Sequence, residues 1–143
     1  MLHEGQKRKL FFTLHLDDSI SIADFNPFVR QAYLDTTLEA IDFCKKIQAP
    51  IINIHFAKGN IVTLPSGKNY LFEHYQEEFY ENLINYREAC EKAIGDSDVR
   101  VDIENTGGWV VYEQKGIELL LESPVFGLTM DIGHNHEISD MDL

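Results

Sequence analysis

The alternation of strand-like and helix-like segments is the feature that most narrows the folds open to this chain. Short apolar runs of strand length alternate with longer segments whose apolar residues recur every three or four positions, as on one helix face. The predicted strands cover residues 9–16, 51–56, 99–104 and 125–131, and the predicted helices cover about 28–47, 69–94 and 110–122. The pattern is therefore four strands alternating with three helices.

Local signals support several of these boundaries. Asn26 followed by Pro27 is typical of a helix start, because asparagine caps free N–H groups and proline suits the first turn. Gly95 is typical of a helix end. Residues 57–68 contain glycine and proline and are predicted to form a loop. The apolar stripe of the longest helix is expected to face the core: Phe72, Tyr75, Phe79, Leu83, Tyr86, Cys90 and Ile94.

Strands that alternate with helices imply right-handed crossovers and a parallel sheet. An open doubly wound sheet and an arc of a (β/α) barrel both fit this order. A doubly wound nucleotide-binding sheet usually has a glycine-rich loop after its first strand, but no glycine lies between Leu16 and Gly59. We therefore expect an α/β fold of the (β/α) TIM-barrel type, incomplete, as a single domain over residues 1–143.

Composition bears on the partners and the location to be expected. Twelve Lys and Arg against 24 Asp and Glu give a net charge of −12, which makes nucleic acid an unlikely partner. No apolar run approaches the ~20 residues of a membrane helix. No apolar stretch of a signal peptide follows the basic cluster at residues 7–9, so a cytoplasmic location is expected. Cys44 and Cys90 fall in predicted helices and are expected to be free, buried thiols.

Side chains that can bind a metal lie at the end of every predicted strand. They are His15, His55, Glu104 and Asp131, with His134 just beyond the last strand. Because the carboxyl ends of parallel strands meet at one edge of the sheet, these groups are predicted to converge. A mixture of imidazole and carboxylate suits Zn, Mn, Fe or Co better than an ion that prefers oxygen alone.

Each residue taken alone has a simpler explanation. A single histidine at a strand end is more often a hydrogen-bonded structural residue, which applies to His15 and His55. Glu104 is harder to explain this way, because an unpaired buried carboxylate costs several kcal/mol. Asn105, Thr106 or a metal could compensate it. The remaining histidines are His3 and His74, expected to be solvated, and His136, which stays unassigned.

Three segments resemble the xylose isomerase-like barrel superfamily, which includes sugar isomerases, epimerases and endonuclease IV-type enzymes. They are residues 52–55, residues 101–105 with their Glu-Asn pair, and residues 128–134 with an Asp-x-Gly-His motif. The resemblance implies a divalent metal (Mn, Co, Zn or Mg) near these strand ends. By position it places the following residues at the metal: His55, Glu104, Asp131 and His134, with His15 on the preceding strand.

The chain departs from that superfamily in its number of strands. Members have eight strands, and the sequence predicts four, as if one unit were missing before Leu10 and about three after His136. The chain thus resembles the middle of a truncated barrel. Its first and last strands would be apolar edges with unpaired backbone groups, so self-association through these edges is expected.

Three functions remain open at this stage. The resemblance favours a sugar or sugar-phosphate isomerase or epimerase acting on a small carbohydrate, with a metal-stabilised enediolate and Glu104 as the base. The alternative is an endonuclease IV-like, metal-dependent phosphodiesterase, which His15 and His55 favour and the net charge of −12 opposes. The third is a catalytically inactive barrel fragment that keeps the fold but not the reaction.

Overall fold

A computed structural model describes Gly5 and residues 7–134. The strands are β1 (Thr13–His15), β2 (Ile51–His55), β3 (Ile61–Leu64), β4 (Gly67–Tyr70), β5 (Arg100–Glu104) and β6 (Phe126–Thr129). The helices are α1 (Pro27–Ile47), α2 (Leu71–His74), α3 (Gln76–Ile94) and α4 (Val111–Leu121). Among the described residues, no helix is both long and apolar enough to cross a membrane.

A parallel sheet of four strands organises the fold. Its order is β1-β2-β5-β6, and every neighbouring pair is parallel. The crossovers between these strands contain α1, α3 and α4, which confirms the predicted alternation of strand and helix. The register places His55 opposite Glu104, and Glu104 opposite Thr129. The sheet therefore aligns residues that are far apart in sequence side by side across neighbouring strands.

The two faces of the sheet differ in chemistry. On one face, Ile52 and Ile54 of β2 lie beside Val101 and Ile103 of β5, and all four are buried in the core. Three long helices contribute to the same core with Ile41, Cys44, Phe79, Leu83, Cys90 and Leu120. The opposite face carries Asn53, His55, Asp102 and Glu104 at the alternate positions. Polar side chains thus occupy what would be the interior of a barrel.

Several predicted boundaries are confirmed. The side-chain oxygen of Asn26 accepts hydrogen bonds from the N–H groups of Phe28 (3.0 Å) and Val29 (3.4 Å), and Pro27 opens α1. Gly95 ends α3 with a φ of +54°, a conformation that glycine adopts without strain. Cys44 and Cys90 are free and buried, and burial raises the pKa of Cys90 to about 12.

The segment between β2 and α3 differs from its prediction. Residues 57–68 were expected to form a loop, but β3 and β4 pair there as an antiparallel hairpin. The helix predicted over 69–94 begins later, because residues 69–70 belong to β4. It is also divided into two helices, because the helical conformation is interrupted at Tyr75. Tyr75 is 52% exposed and is not a core residue, whereas the other six members of the predicted stripe are buried.

The edge strands of the sheet are shorter than predicted. The run over 9–16 forms a strand only at Thr13–His15, since Lys9 has a positive φ of +55° and Leu10 and Phe11 are exposed. The run over 125–131 forms a strand only at Phe126–Thr129. Both strands have one sheet neighbour within the described residues, so fewer backbone hydrogen bonds hold their ends.

Candidate metal centre

The carboxyl ends of the parallel strands bring all five predicted site residues together. His15, His55 and Glu104 are the last residues of β1, β2 and β5, and Asp131 and His134 follow β6. Their ligand atoms form two groups, each within 4.8 Å. One group is His15, His55 and Glu104, and the other is Glu104, Asp131 and His134. Glu104 belongs to both groups.

Glu104 lies at the centre of this cluster. Its side chain is only 6% exposed. Oε2 lies 3.2 Å from Nε2 of His15, and Oε1 lies 3.6 Å from Nε2 of His55 and 3.5 Å from Nε2 of His134. The His55 ring also contacts the other two rings edge-on, at centroid distances of 4.9 and 5.7 Å. Three imidazoles thus surround one buried carboxylate.

The hydrogen bonding of His15 shows that its Nε2 lone pair faces Glu104 when the ring is neutral. Its Nδ1 lies 2.6 Å from the carbonyl oxygen of Leu16, which can only accept, so Nδ1 carries the hydrogen. In a neutral ring, Nε2 then presents a lone pair to the Glu104 carboxylate 3.2 Å away. Two acceptors at this distance repel each other. A proton on either atom, or a metal ion between them, removes the repulsion.

The distances and the donor set fit a divalent metal. Ligands bound at about 2.1 Å in a tetrahedral site lie about 3.4 Å from one another. The three imidazole nitrogens lie 3.2–3.6 Å from the nearest Glu104 oxygen, which matches this spacing. Imidazole with carboxylate is a donor set that suits Zn and similar transition metals. The cluster is therefore consistent with a divalent metal site.

Asp131 is held by the turn that follows it. Its Oδ1 accepts hydrogen bonds from the backbone N–H groups of Gly133 (2.5 Å) and His134 (3.2 Å). These bonds, the one from His134 first, lower the pKa of Asp131 below its ordinary value. The carboxylate therefore stays ionised at neutral pH, and the same turn carries His134 back towards Glu104.

Asn105 joins the ends of β5 and β6. Its side-chain oxygen accepts from the N–H of Asp131 (2.6 Å), and its Nδ2 donates to the Asp131 carbonyl oxygen (3.0 Å). Asn105 was considered as a partner that might compensate Glu104, but the structure places both of its polar atoms on the Asp131 backbone. Its effect is to fix the Asp131 main chain beside the end of β5.

Asp18 is a site residue that the sequence analysis missed. It lies in the loop between β1 and α1, and its Oδ1 is 3.5 Å from Nδ1 of His55 and 3.9 Å from Nδ1 of His15. The available signal was its position, since loops after parallel strands line the ligand-binding edge. The chain places the Asp17-Asp18 pair directly after the first strand run.

Comparison with known proteins bears on the fold. No family model matches the chain, and no curated protein matches it either. A solved structure described as a D-tagatose 3-epimerase-like protein is similar, with a TM-score of 0.65 and 21% sequence identity. The match covers 94% of this chain and 49% of that one, which is a TIM barrel. The chain has the fold of half a barrel. This confirms the predicted incomplete (β/α) barrel.

The interior of the half barrel carries a second polar layer below the cluster. Asp102, 1% exposed, accepts two hydrogen bonds from Arg100, at 2.5 and 2.8 Å. The Thr129 hydroxyl lies 2.8 Å from Oδ1 of Asn53 and 3.4 Å from Oδ2 of Asp102. The hydrogen bonds that Arg100 donates to Asp102 raise the pKa of Arg100, which therefore remains a cation. None of these residues was among the predicted site residues.

Among the described residues, one further histidine, His74, lies outside the cluster. His74 is exposed on α2, as predicted. His3 and His136 lie outside the described residues.

Proposed function

We propose that this half barrel is the metal-binding part of a sugar or sugar-phosphate isomerase or epimerase. One observation carries the proposal: a buried carboxylate, Glu104, faces three imidazoles at the carboxyl edge of a parallel sheet. The similar solved structure is described as D-tagatose 3-epimerase-like, and that description supports a sugar as the substrate class. The proposed partner is a small carbohydrate.

The proposed metal ligands are drawn from the five clustered side chains. They are Glu104, Asp131, His134, His55 and His15. Among the candidate ions Mn, Co, Zn and Mg, the imidazole nitrogens favour the first three over Mg, which prefers oxygen ligands. When bound, such an ion would supply Lewis-acid polarisation of the substrate's oxygen atoms.

The proposed proton transfer belongs to Glu104. One of its carboxylate oxygens would remove the proton from the carbon beside the substrate carbonyl and return it to a neighbouring position. Its burial excludes bulk water, which would otherwise compete for that oxygen. The net charge of −12 suits a neutral sugar or a singly phosphorylated one better than a long polyanion.

Metal content tests the site. Elemental analysis after gentle purification is expected to find near-stoichiometric Mn, Co or Zn in the wild type and a loss of metal in Glu104→Gln. Glu118→Gln is the matched control, because Glu118 is exposed on α4 and its substitution removes the same charge. A wild type that holds no metal, and whose melting temperature added metal does not raise, would refute the site.

The proton transfer has its own test. Ketoses, aldoses and their phosphates are incubated with metal-loaded protein in D₂O, and NMR follows deuterium at the carbon beside the carbonyl. Incorporation by the wild type and Glu118→Gln, but not by Glu104→Gln, is the expected result. Incorporation that persists in Glu104→Gln would assign the base to another residue.

A second candidate function is an endonuclease IV-like phosphodiesterase. The observation that favours it is that two groups of ligands share Glu104, as a carboxylate between two metal ions would. The net charge of −12 counts against a nucleic-acid substrate. Two or more metal ions per chain, together with hydrolysis of bis(p-nitrophenyl) phosphate, would favour this function over the isomerase. One ion per chain and no hydrolysis would exclude it.

Three further features remain proposals. We propose that residues 1–143 act as one domain, that copies associate through β1 and β6, and that the protein is cytoplasmic. The single core shared by all the long helices supports the first, and the two free thiols support the third. An inactive fragment, the remaining alternative, would give no deuterium incorporation, with or without bound metal.

A further inference from the structure

The loop after β1 holds a carboxylate against the outer side of the histidine pair. Asp17 closes a turn in this loop, because its Oδ1 accepts from the N–H of Ser19 at 2.8 Å and from the Ser19 hydroxyl. The turn leaves the neighbouring Asp18 with its Oδ1 3.5 Å from Nδ1 of His55 and 3.9 Å from Nδ1 of His15. Asp18 therefore lies on the side of both rings that faces away from Glu104.

The two nitrogens of each ring have different surroundings. Nδ1 of His15 bonds to the Leu16 carbonyl oxygen, so this ring is oriented by the main chain. Nδ1 of His55 has the Asp18 carboxylate at 3.5 Å, while its Nε2 lies 3.6 Å from Glu104. An acceptor on Nδ1 keeps the hydrogen there and leaves Nε2 with a lone pair. Asp18 thus offers Nδ1 of His55 an acceptor, as the Leu16 carbonyl does for Nδ1 of His15, but at the longer distance of an ion pair.

The burial of the two partners argues that this contact contributes little to stability. The Asp18 side chain is 77% exposed, and ion pairs at exposed positions contribute little to folding stability. The His55 ring, in contrast, is only 18% exposed and has few ways to turn. A small energy at Asp18 is nevertheless enough to select which nitrogen of a confined ring carries the hydrogen.

We propose that Asp18 is a positioning residue that accepts the Nδ1 hydrogen of His55 and thereby presents Nε2 to a divalent cation held with Glu104. The proposal deepens the proposed metal site. The position of the hydrogen on His55 is independent of that site, whereas the presentation of Nε2 to a cation rests on the proposed function. Carboxylates behind histidine ligands fix the ring and raise the basicity of the binding nitrogen, and their loss typically weakens metal binding by about 10–100-fold.

The ring itself gives the first readout. In metal-free, ¹⁵N-histidine-labelled protein, NMR is expected to show His55 with its hydrogen on Nδ1. Asp18→Ala should shift His55 towards the form with hydrogen on Nε2, and Asp18→Asn should retain much of the original form, because the amide oxygen still accepts. A purely structural role for Asp18 would change the melting temperature and leave the ratio of the two His55 forms unchanged.

Metal affinity gives the second readout. Co²⁺ titration, followed by visible absorbance and competed with Zn²⁺, should show binding about 10–100-fold weaker in Asp18→Ala. The control is Asp98→Ala, which removes the same charge from an exposed position just before β5, at the opposite edge of the sheet. The control is expected to bind Co²⁺ as the wild type does, with both variants melting within a few degrees of it.

The outcomes separate the two proposals. If Asp18→Ala binds Co²⁺ as tightly as the wild type and His55 keeps its hydrogen on Nδ1, the role of Asp18 is refuted while the metal site stands. If the wild type binds no metal, the proposed function fails, and the His55 ratio alone decides whether Asp18 orients the ring. Equal weakening in Asp98→Ala would attribute the effect to net charge and refute the proposal.

Discussion

Two buried carboxylates lie two residues apart on β5, and their surroundings give them different roles. Asp102 is 1% exposed and pairs with the Arg100 guanidinium, so the protein supplies its own counter-charge. Glu104 is 5% exposed and faces imidazoles, which are cations only when protonated. Because a buried charge needs compensation, the counter-charge of Glu104 depends on what the site binds. Asp102 is therefore structural, and Glu104 is the residue suited to bind a ligand.

Removing the guanidinium should destabilise the protein strongly. Arg100→Met leaves the Asp102 carboxylate buried without a cation, and we expect a loss of about 2–3 kcal/mol in the free energy of unfolding. Urea denaturation followed by circular dichroism measures it. Arg100→Met with Asp102→Leu should recover most of the loss, because both charges are then gone. If the single variant lost less than about 0.5 kcal/mol, the pair would contribute little.

Asp131 should make stability depend on pH in the acid range. Backbone hydrogen bonds lower its pKa in the folded protein, so its contribution is complete above the unfolded value of about 3.9 and is lost as the pH falls through the folded value. Thermal melts should show a constant gap between wild type and Asp131→Asn from pH 7 to about 4, and a narrowing gap below. A gap that stayed constant below about pH 4 would contradict this prediction.

At the scale of elements, the boundaries that could be predicted from the sequence were those marked by a local capping residue or by a periodic buried face. The start of α1 is set by one side chain, Asn26, next to a proline, so it could be predicted. The β3–β4 hairpin was missed because all four residues of β3 are exposed and lack a buried face that would give a period. The break at Tyr75 was hidden because Phe72 and Phe79 stay in phase and stack at 4.6 Å across it.

The same distinction explains which residues of the site could be predicted from the sequence. His15, His55 and Glu104 end strands of a parallel sheet, and topology alone predicts that such ends meet. Asp18 lies in an irregular loop, where no period indicates which way a side chain faces. Asp102 and Arg100 lie two residues apart on β5 and therefore share a face, but this alternation is equally typical of an exposed face, so the sequence did not show that Asp102 is buried.

The cap of α1 gives a prediction at this scale. Asn26→Ala removes the acceptor of two N–H groups at the start of a 21-residue helix, and we expect a loss of about 1 kcal/mol in the free energy of unfolding. Asn85→Ala is the control, because Asn85 is exposed inside α3 and alanine there should be neutral or slightly stabilising. Equal losses in urea denaturation would show that capping is not the cause.

At the scale of the whole molecule, the sheet has an uncovered face at β6. Ile103 and Leu128 are partners in the register and lie on the same face, yet Ile103 is fully buried and Leu128 is 49% exposed. Met130 and Ile132, which follow, are 71% and 75% exposed. Within the described residues β6 pairs only with β5, so its other edge also offers free backbone groups. Such an edge favours association between copies.

Two matched variants can distinguish association through β6 from non-specific hydrophobic association. Leu128 and Phe43 are both 49% exposed, but Phe43 lies on α1 and Leu128 on the open edge strand. Sedimentation velocity from about 1 to 100 µM, the range of weak specific contacts, should show association in the wild type and Phe43→Lys. Leu128→Lys should stay monomeric, because a lysine on an edge strand opposes pairing. A wild type that is monomeric throughout, or equal dissociation of both variants, would contradict pairing at β6.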